Sequence, residues 1–110
     1  MFTINPGDFK HIITIQEHLE TISNDDIPVK QWVNVLKTKA KVTNVRGDEY
    51  LQAQNVGMKI EKTFYIRYSR SVPITTDNQI LYKDKVYNVV YVNNVMDLNK
   101  YIEIKVELKR

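Results

Sequence analysis

The chain has 110 residues, with 16 Lys and Arg against 13 Asp and Glu, two His and no Cys, for a formal charge of +3. That length suits one core and not two, and 43% hydrophobic with 26% charged residues is a globular composition, neither disordered nor collagen-like. The absence of Cys excludes disulfides, thiolate metal centres and cysteine nucleophiles, and a mild positive charge carried by 12 Lys and 4 Arg does not by itself name a phosphate-bearing partner.

The first ten residues read as an extended N-terminal segment. Their start, Met1-Phe2-Thr3-Ile4-Asn5-Pro6-Gly7-Asp8, has neither the basic nor the apolar region of a secretory signal. Residues 11–18 then read as a strand, and Asn24-Asp25-Asp26-Ile27-Pro28 as a turn, since two Asp and a Pro favour a change of direction. A second strand covers 29–42, with Trp32 near its start. An insertion follows at 43–57, in which 48–55 predicts a two-turn helix: Asp48 caps it, Glu49 suits the N-terminal dipole, and Leu51, Gln52, Ala53 and Gln54 are helix-compatible.

Period-two alternation is clearest in 57–68. Met58, Ile60, Lys62, Phe64, Ile66 and Tyr68 share one side, while Lys59, Glu61, Thr63, Tyr65 and Arg67 share the other, which predicts one buried and one wet face. Strands at 79–82 and 86–92 flank Lys83-Asp84-Lys85, a hairpin signal. The stretch 86–96 is apolar-rich but contains three Asn and is well short of the roughly 20 residues of a membrane helix. Asn93 to Lys100 supplies Asn and Asp residues that tolerate left-handed backbone. In the last strand, 101–108, Ile102, Ile104, Val106 and Leu108 face inward while Glu103, Lys105 and Glu107 face outward. The last four strands read as consecutive antiparallel neighbours. The whole predicts a single all-β domain over 1–110, a small antiparallel six-stranded barrel or rolled sandwich with one short helix in the 43–57 insertion. Ile102, Ile104, Val106, Phe64, Ile66 and Trp32 are expected in one core.

No catalytic constellation is visible. His11 and His18 are seven residues apart on one strand, so they face opposite ways and cannot share a metal. Ser23, Ser69 and Ser71 lack a nucleophile elbow, and Gly7, Gly47 and Gly57 are too scattered to cradle a phosphate, so no cofactor is expected. Asp25 and Asp26 read as solvated turn residues, and Arg46-Gly47-Asp48 as a turn and cap. Phe64-Tyr65-Ile66-Arg67-Tyr68-Ser69-Arg70, with Tyr82, Lys83, Tyr87 and Tyr91, interleaves aromatic and basic residues as single-stranded nucleic-acid binders do. Cross-strand aromatics also stabilise sheets, and Phe64, Ile66 and Tyr68 fall on the inward face, which favours that second reading.

In order, Asn5-Pro6-Gly7, His11-Ile12-Ile13-Thr14-Ile15-Gln16, Trp32-Val33, Gly47-Asp48-Glu49-Tyr50-Leu51-Gln52-Ala53-Gln54, Ile66-Arg67-Tyr68 and Val86-Tyr87-Asn88-Val89 give the chain its family character. Over nearly its whole length it resembles the head-tail joining, or head closure and head completion, proteins of long-tailed bacteriophages. It departs from them at Asp48, where the family commonly has a basic residue, and at Ser69-Arg70-Ser71-Val72-Pro73, where a Pro-Gly turn is usual. The resemblance implies a non-enzymatic β-barrel that assembles as a twelve-membered ring in the virion, after assembly in the host cytoplasm. Its partners would be the portal-adaptor complex of the filled head and a tail terminator or tail-completion protein. Genomic DNA would pass through the channel, and no membrane is involved. It further implies that Arg46, Asp48, Glu49, Tyr50, Gln52 and Gln54 are channel or inter-subunit positions. With no heptad seam or long apolar patch, the free subunit is expected to be a monomer or weak oligomer. The short 43–57 segment is expected to order only on assembly.

Overall fold

The computed structural model describes residues 6–44 and 60–109. Six strands form β1 (His11–Ile22), β2 (Pro28–Asn44), β3 (Lys62–Arg67), β4 (Gln79–Tyr82), β5 (Lys85–Asn94) and β6 (Tyr101–Leu108). They close into a barrel in the order β1-β2-β3-β6-β5-β4, every pairing antiparallel. Two short 3-10 turns accompany them, Pro6–Asp8 and Val95–Asp97, the first within the stretch expected to be extended. The expected helix at 48–55 lies outside the described residues, and β2 carries two residues of the anticipated insertion, Thr43 and Asn44, as strand.

Alternation predicted the inward faces of β3 and β6, and their partners complete the core. Phe64, Ile66, Ile104 and Val106 are buried with Ile13, Ile15, Ala40 and Ile80 from the other strands. Phe64 meets Tyr82 and Tyr87 edge to face, at centroid distances of 5.4 and 6.0 Å, a geometry the ring quadrupole favours. The four strands from β3 onward are not consecutive neighbours. β3 pairs with β6, and β4 instead closes the barrel against β1 through Thr14, Ile15 and Gln16 opposite Leu81, Ile80 and Gln79. The connection between β3 and β4 stays on the molecule because Tyr68 and Ile74 pack against the core.

Two bulges decide which side chains face in. On β2, Ile15 pairs with Leu36 and Gln16 with Asn34, so Val35 has no opposite number. An extra residue shifts the period-two pattern by one. Leu36, Ala40 and Val42 therefore pack inward, whereas Trp32, which shares their parity in an unbroken strand, turns outward and is not in the core as expected. On β5, Val90 is skipped between Val89 and Tyr91. Tyr87 and Val89 face the core before the bulge and Val92 after it, leaving Tyr91 41% exposed.

Tyr65 is a second correction. It lies on the outward side of β3 but is only 8% exposed. Its strand is flanked by longer neighbours on both sides, and Tyr65 Oη donates to Glu103 Oε2 at 2.9 Å while Lys41 Nζ lies 5.8 Å from its ring centroid. Arg67 remains outward and exposed.

The turns follow their residues. Lys83 and Asp84 have φ of 49° and 63°, the pair of left-handed residues that matches a two-residue hairpin to strand twist. Met96, Asp97 and Asn99 are also left-handed, and Asn94 clamps that loop, donating from Nδ2 to Asn99 Oδ1 at 2.6 Å and accepting the Asn99 N–H at 3.1 Å.

Ile104→Ala, at a fully buried position, should cost about 2 to 5 kcal/mol in denaturant unfolding, while Ile22→Ala, 75% exposed, should stay within about 0.5 kcal/mol. Equal losses would contradict the core assignment. Burial, helped by Glu61 and Tyr82, holds the Tyr87 phenol above its ordinary range. The folded state thus disfavours its ionisation, so this stability is present below the unfolded phenol's pKa of about 10 and is lost as pH rises above it. Tyr87→Phe should accordingly lose less stability than the wild type as pH is raised above about 10.

Candidate functional site

The described residues carry two contrasting exposed surfaces, at opposite ends of β1. Beyond Gln16 and Asn34, residues 17–22 of β1 and 28–33 of β2 pair, among the described residues, only with each other. They form a two-stranded arm leaving the barrel, consistent with principal extents of 55 × 31 × 26 Å. At its tip Ser23 organises the turn. Its N–H donates to the Ile27 carbonyl at 3.0 Å, its carbonyl accepts the Asp26 N–H at 3.0 Å, its Oγ accepts the Ile27 N–H at 3.3 Å, and Asp26 takes φ 58°. Ile22 and Ile27 are 75% and 58% exposed, with Asp25 and Asp26 exposed between them.

The root of the arm is held by amides. Gln79, 4% exposed, donates from Nε2 to Gln16 Oε1 at 2.6 Å and accepts Lys109 Nζ at 3.1 Å. Gln16 Nε2 donates to Asn34 Oδ1 at 2.8 Å, and Asn78 Nδ2 to the Gln16 carbonyl at 3.0 Å. Above this network the Trp32 ring stacks on His18 at 4.5 Å and 13°, with Lys109 Nζ 5.0 Å from its centroid. The bulge at Val35 is what delivers Trp32 to this position, opposite His18 in the ladder.

The second surface lies at the start of β1. A groove of about 540 Å³ is lined by Phe9, Ile12, Lys37, Thr38, Lys39 and Arg67. Phe9, braced against Tyr101 at 5.6 Å, is buried, while Ile12 is 55% exposed beside its ladder partner Lys39. Lys10 is exposed nearby in sequence, and Lys41 pairs with Asp8 at 3.8 Å. Apolar atoms thus sit among three cationic side chains.

The two histidines of the chain lie in different surroundings. His11 and His18 face opposite ways, His11 Nδ1 lying 3.0 Å from Tyr82 Oη and His18 under Trp32. Among the described residues no group of three His, Cys, Asp or Glu could hold a metal. The aromatic and basic residues that suggested base stacking do not form a platform: Phe64, Tyr82 and Tyr87 are in the core and Tyr65 is covered, leaving Tyr91 exposed. The positions Arg46, Asp48, Glu49, Tyr50, Gln52 and Gln54, and with them Arg46-Gly47-Asp48, lie outside the described residues. Sequence reasoning did not find the arm, because it ended the first strand at residue 18 where alternation gives way to charge. It did not find the groove either, since Ile12 meets Lys37 and Lys39 only once β1 and β2 are in register.

The model of the phage head completion protein family matches residues 4–109. The chain belongs to that family. Among curated proteins, none matches it in sequence. The fold of the chain is also that of protein SF1141 from Shigella flexneri 2a, known from a solution structure, at 19% identity and TM-score 0.71 over 96% of each chain. A chain of the virion of a native gene transfer agent particle is similar as well, at 11% identity and TM-score 0.61, over 91% of this chain and 94% of that one.

The arm's root is testable through Trp32, the chain's single Trp. His18→Ala should increase iodide quenching of Trp32 fluorescence with little change in stability, whereas Gln79→Ala should cost about 1 to 3 kcal/mol by leaving its partners unpaired. Unchanged quenching in His18→Ala would show that the stack does not shield the indole in solution.

Proposed function

We propose that this protein is a structural connector that closes the DNA-filled head after packaging and offers the surface on which the tail docks. The observation that carries this reading is the family match across residues 4–109, nearly the full chain. A barrel with two unlike exposed surfaces suits it, because a connector must hold different neighbours on different faces. In this reading the subunits act as a twelve-membered ring in the virion, between a portal-adaptor complex and a tail terminator or tail-completion protein. Genomic DNA lies in the central channel, and Arg46, Asp48, Glu49, Tyr50, Gln52 and Gln54 line that channel or the subunit boundary. The role is mechanical and electrostatic, with no bond made or broken.

The second reading, a single-stranded nucleic-acid-binding barrel, is disfavoured by the burial of Phe64, Tyr82 and Tyr87, which leaves bases no continuous aromatic surface. Deleting the gene separates the two. The connector reading expects filled or leaking heads beside complete, unattached tails in electron micrographs, with joining restored by added protein. Normal joining in the deletion, together with tight oligonucleotide binding that falls steeply with salt, would reverse the ranking.

A further inference from the structure

The arm tip and the groove are complementary in both polarity and charge. Residues 17–33 carry Glu17, Glu20, Asp25 and Asp26 against Lys30, a formal −3, and the tip sets two exposed isoleucines around two exposed aspartates. The groove sets exposed Ile12 among Lys37, Lys39 and Arg67. Among the described residues none of those three cations, nor Lys10, has a carboxylate partner. An apolar-acidic projection and an apolar-basic recess on one chain raise the question of whether they meet within one copy or between two.

They cannot meet within one copy. Ile12 and Ile22 stand ten residues apart on the same strand, and at about 3.3 Å per residue that is roughly 33 Å. β1 is paired to β2 along that whole length and its root is locked by Gln16, Gln79 and Asn34, so the arm cannot fold back. We propose that the arm tip of one copy docks into the Ile12 groove of the next, with Ile22 and Ile27 against Ile12 and Phe9, and Asp25 and Asp26 facing Lys37, Lys39 and Arg67. This deepens the connector reading and rests on it for the occasion of assembly, though not for the contact itself.

The contact joins two different surfaces, so each copy keeps a free arm and a free groove and the association repeats head to tail, unlike a two-fold dimer that satisfies itself. Its apolar area is small and its charge pairs are solvent-exposed, so it is weak in isolation and weakens further with salt. Templating by neighbours in a particle raises the effective concentration and makes such a contact sufficient.

The lack of native Cys makes disulfide trapping clean. Under mild oxidation at millimolar concentration, Ile12→Cys/Ile27→Cys should give a reduction-sensitive ladder of multimers. The single variants should link efficiently only when mixed, and then stop at the pair. Both sites are more than half exposed, so folding is retained and thermal unfolding checks it. In sedimentation, Asp25→Lys/Asp26→Lys and Lys37→Glu/Lys39→Glu should each weaken self-association at least about tenfold, and the fourfold variant should regain it. A folded double-cysteine variant without a ladder, single variants that dimerise as readily as the mixture, or a fourfold variant that stays monomeric would each overturn the docking. So would loss of oligonucleotide binding in Lys37→Glu/Lys39→Glu with self-association unchanged, which would make the groove a nucleic-acid site. Head-tail joining in extracts distinguishes the two levels: joining by wild-type protein without the ladder fails the docking alone, and a ladder with joining that needs no such protein fails the connector reading alone.

Discussion

The projecting arm of this molecule depends on how the barrel shuts. β4 is four residues long and meets β1 through three pairs, Thr14 to Gln16 against Leu81 to Gln79. Closure removes unpaired sheet edges, and it stops at Gln16 because β4 begins at Gln79. The rest of β1, with the part of β2 it pairs to, then has no barrel neighbour among the described residues and continues outward as the arm. A short closing strand is therefore the physical origin of the projection, and the amides at its last pair, Gln16 and Gln79, become the hinge point that a polar network has to stiffen.

The two bulges tune what closure leaves exposed. Each inserts one residue and so exchanges the faces of a strand beyond it. On β2 this keeps Leu36 and Val42 on the core while directing Trp32 to His18 and Lys109. The large ring then seals the arm's root instead of filling a barrel interior already crowded by Phe64, Tyr82 and Tyr87. On β5 the bulge restores Val92 to the core and presents Tyr91 to solvent, with Lys105 Nζ 5.9 Å from its ring centroid. Packing inside the barrel and shape outside it are set by the same two irregularities.

In the proposed connector role the protein works by holding neighbours, and its chemistry is that of shape and charge. The acidic arm and the basic groove lie at the two ends of one continuous strand, so the rigidity of β1 is transmitted between the surfaces and neither can be moved without the other. Exposed apolar residues at the arm, Leu19, Ile22, Ile27 and Val29, are interspersed with Glu20, Asp25, Asp26 and Lys30, which keeps the free arm from pairing indiscriminately.

The sequence by itself determined the fold class, the number of strands though not all their ends, the inward side chains of β3 and β6, and the turn at Lys83 and Asp84, because alternation and turn chemistry are local and are written in neighbouring residues. The opposed histidines were legible for the same reason, and the family was legible in the order of short motifs from Asn5 to Val89. Tertiary structure alone decided that β4 closes on β1, since a four-residue strand does not state its partner. It also decided that Val35 and Val90 are bulged, which turned Trp32 out of the core, and that Tyr65 is covered by Glu103 and Lys41. The groove at Ile12 likewise needed β1, β2 and the end of β3 side by side. Pairing and register depend on residues far apart in the chain, and a one-residue slip, invisible in the local pattern, reverses every face beyond it.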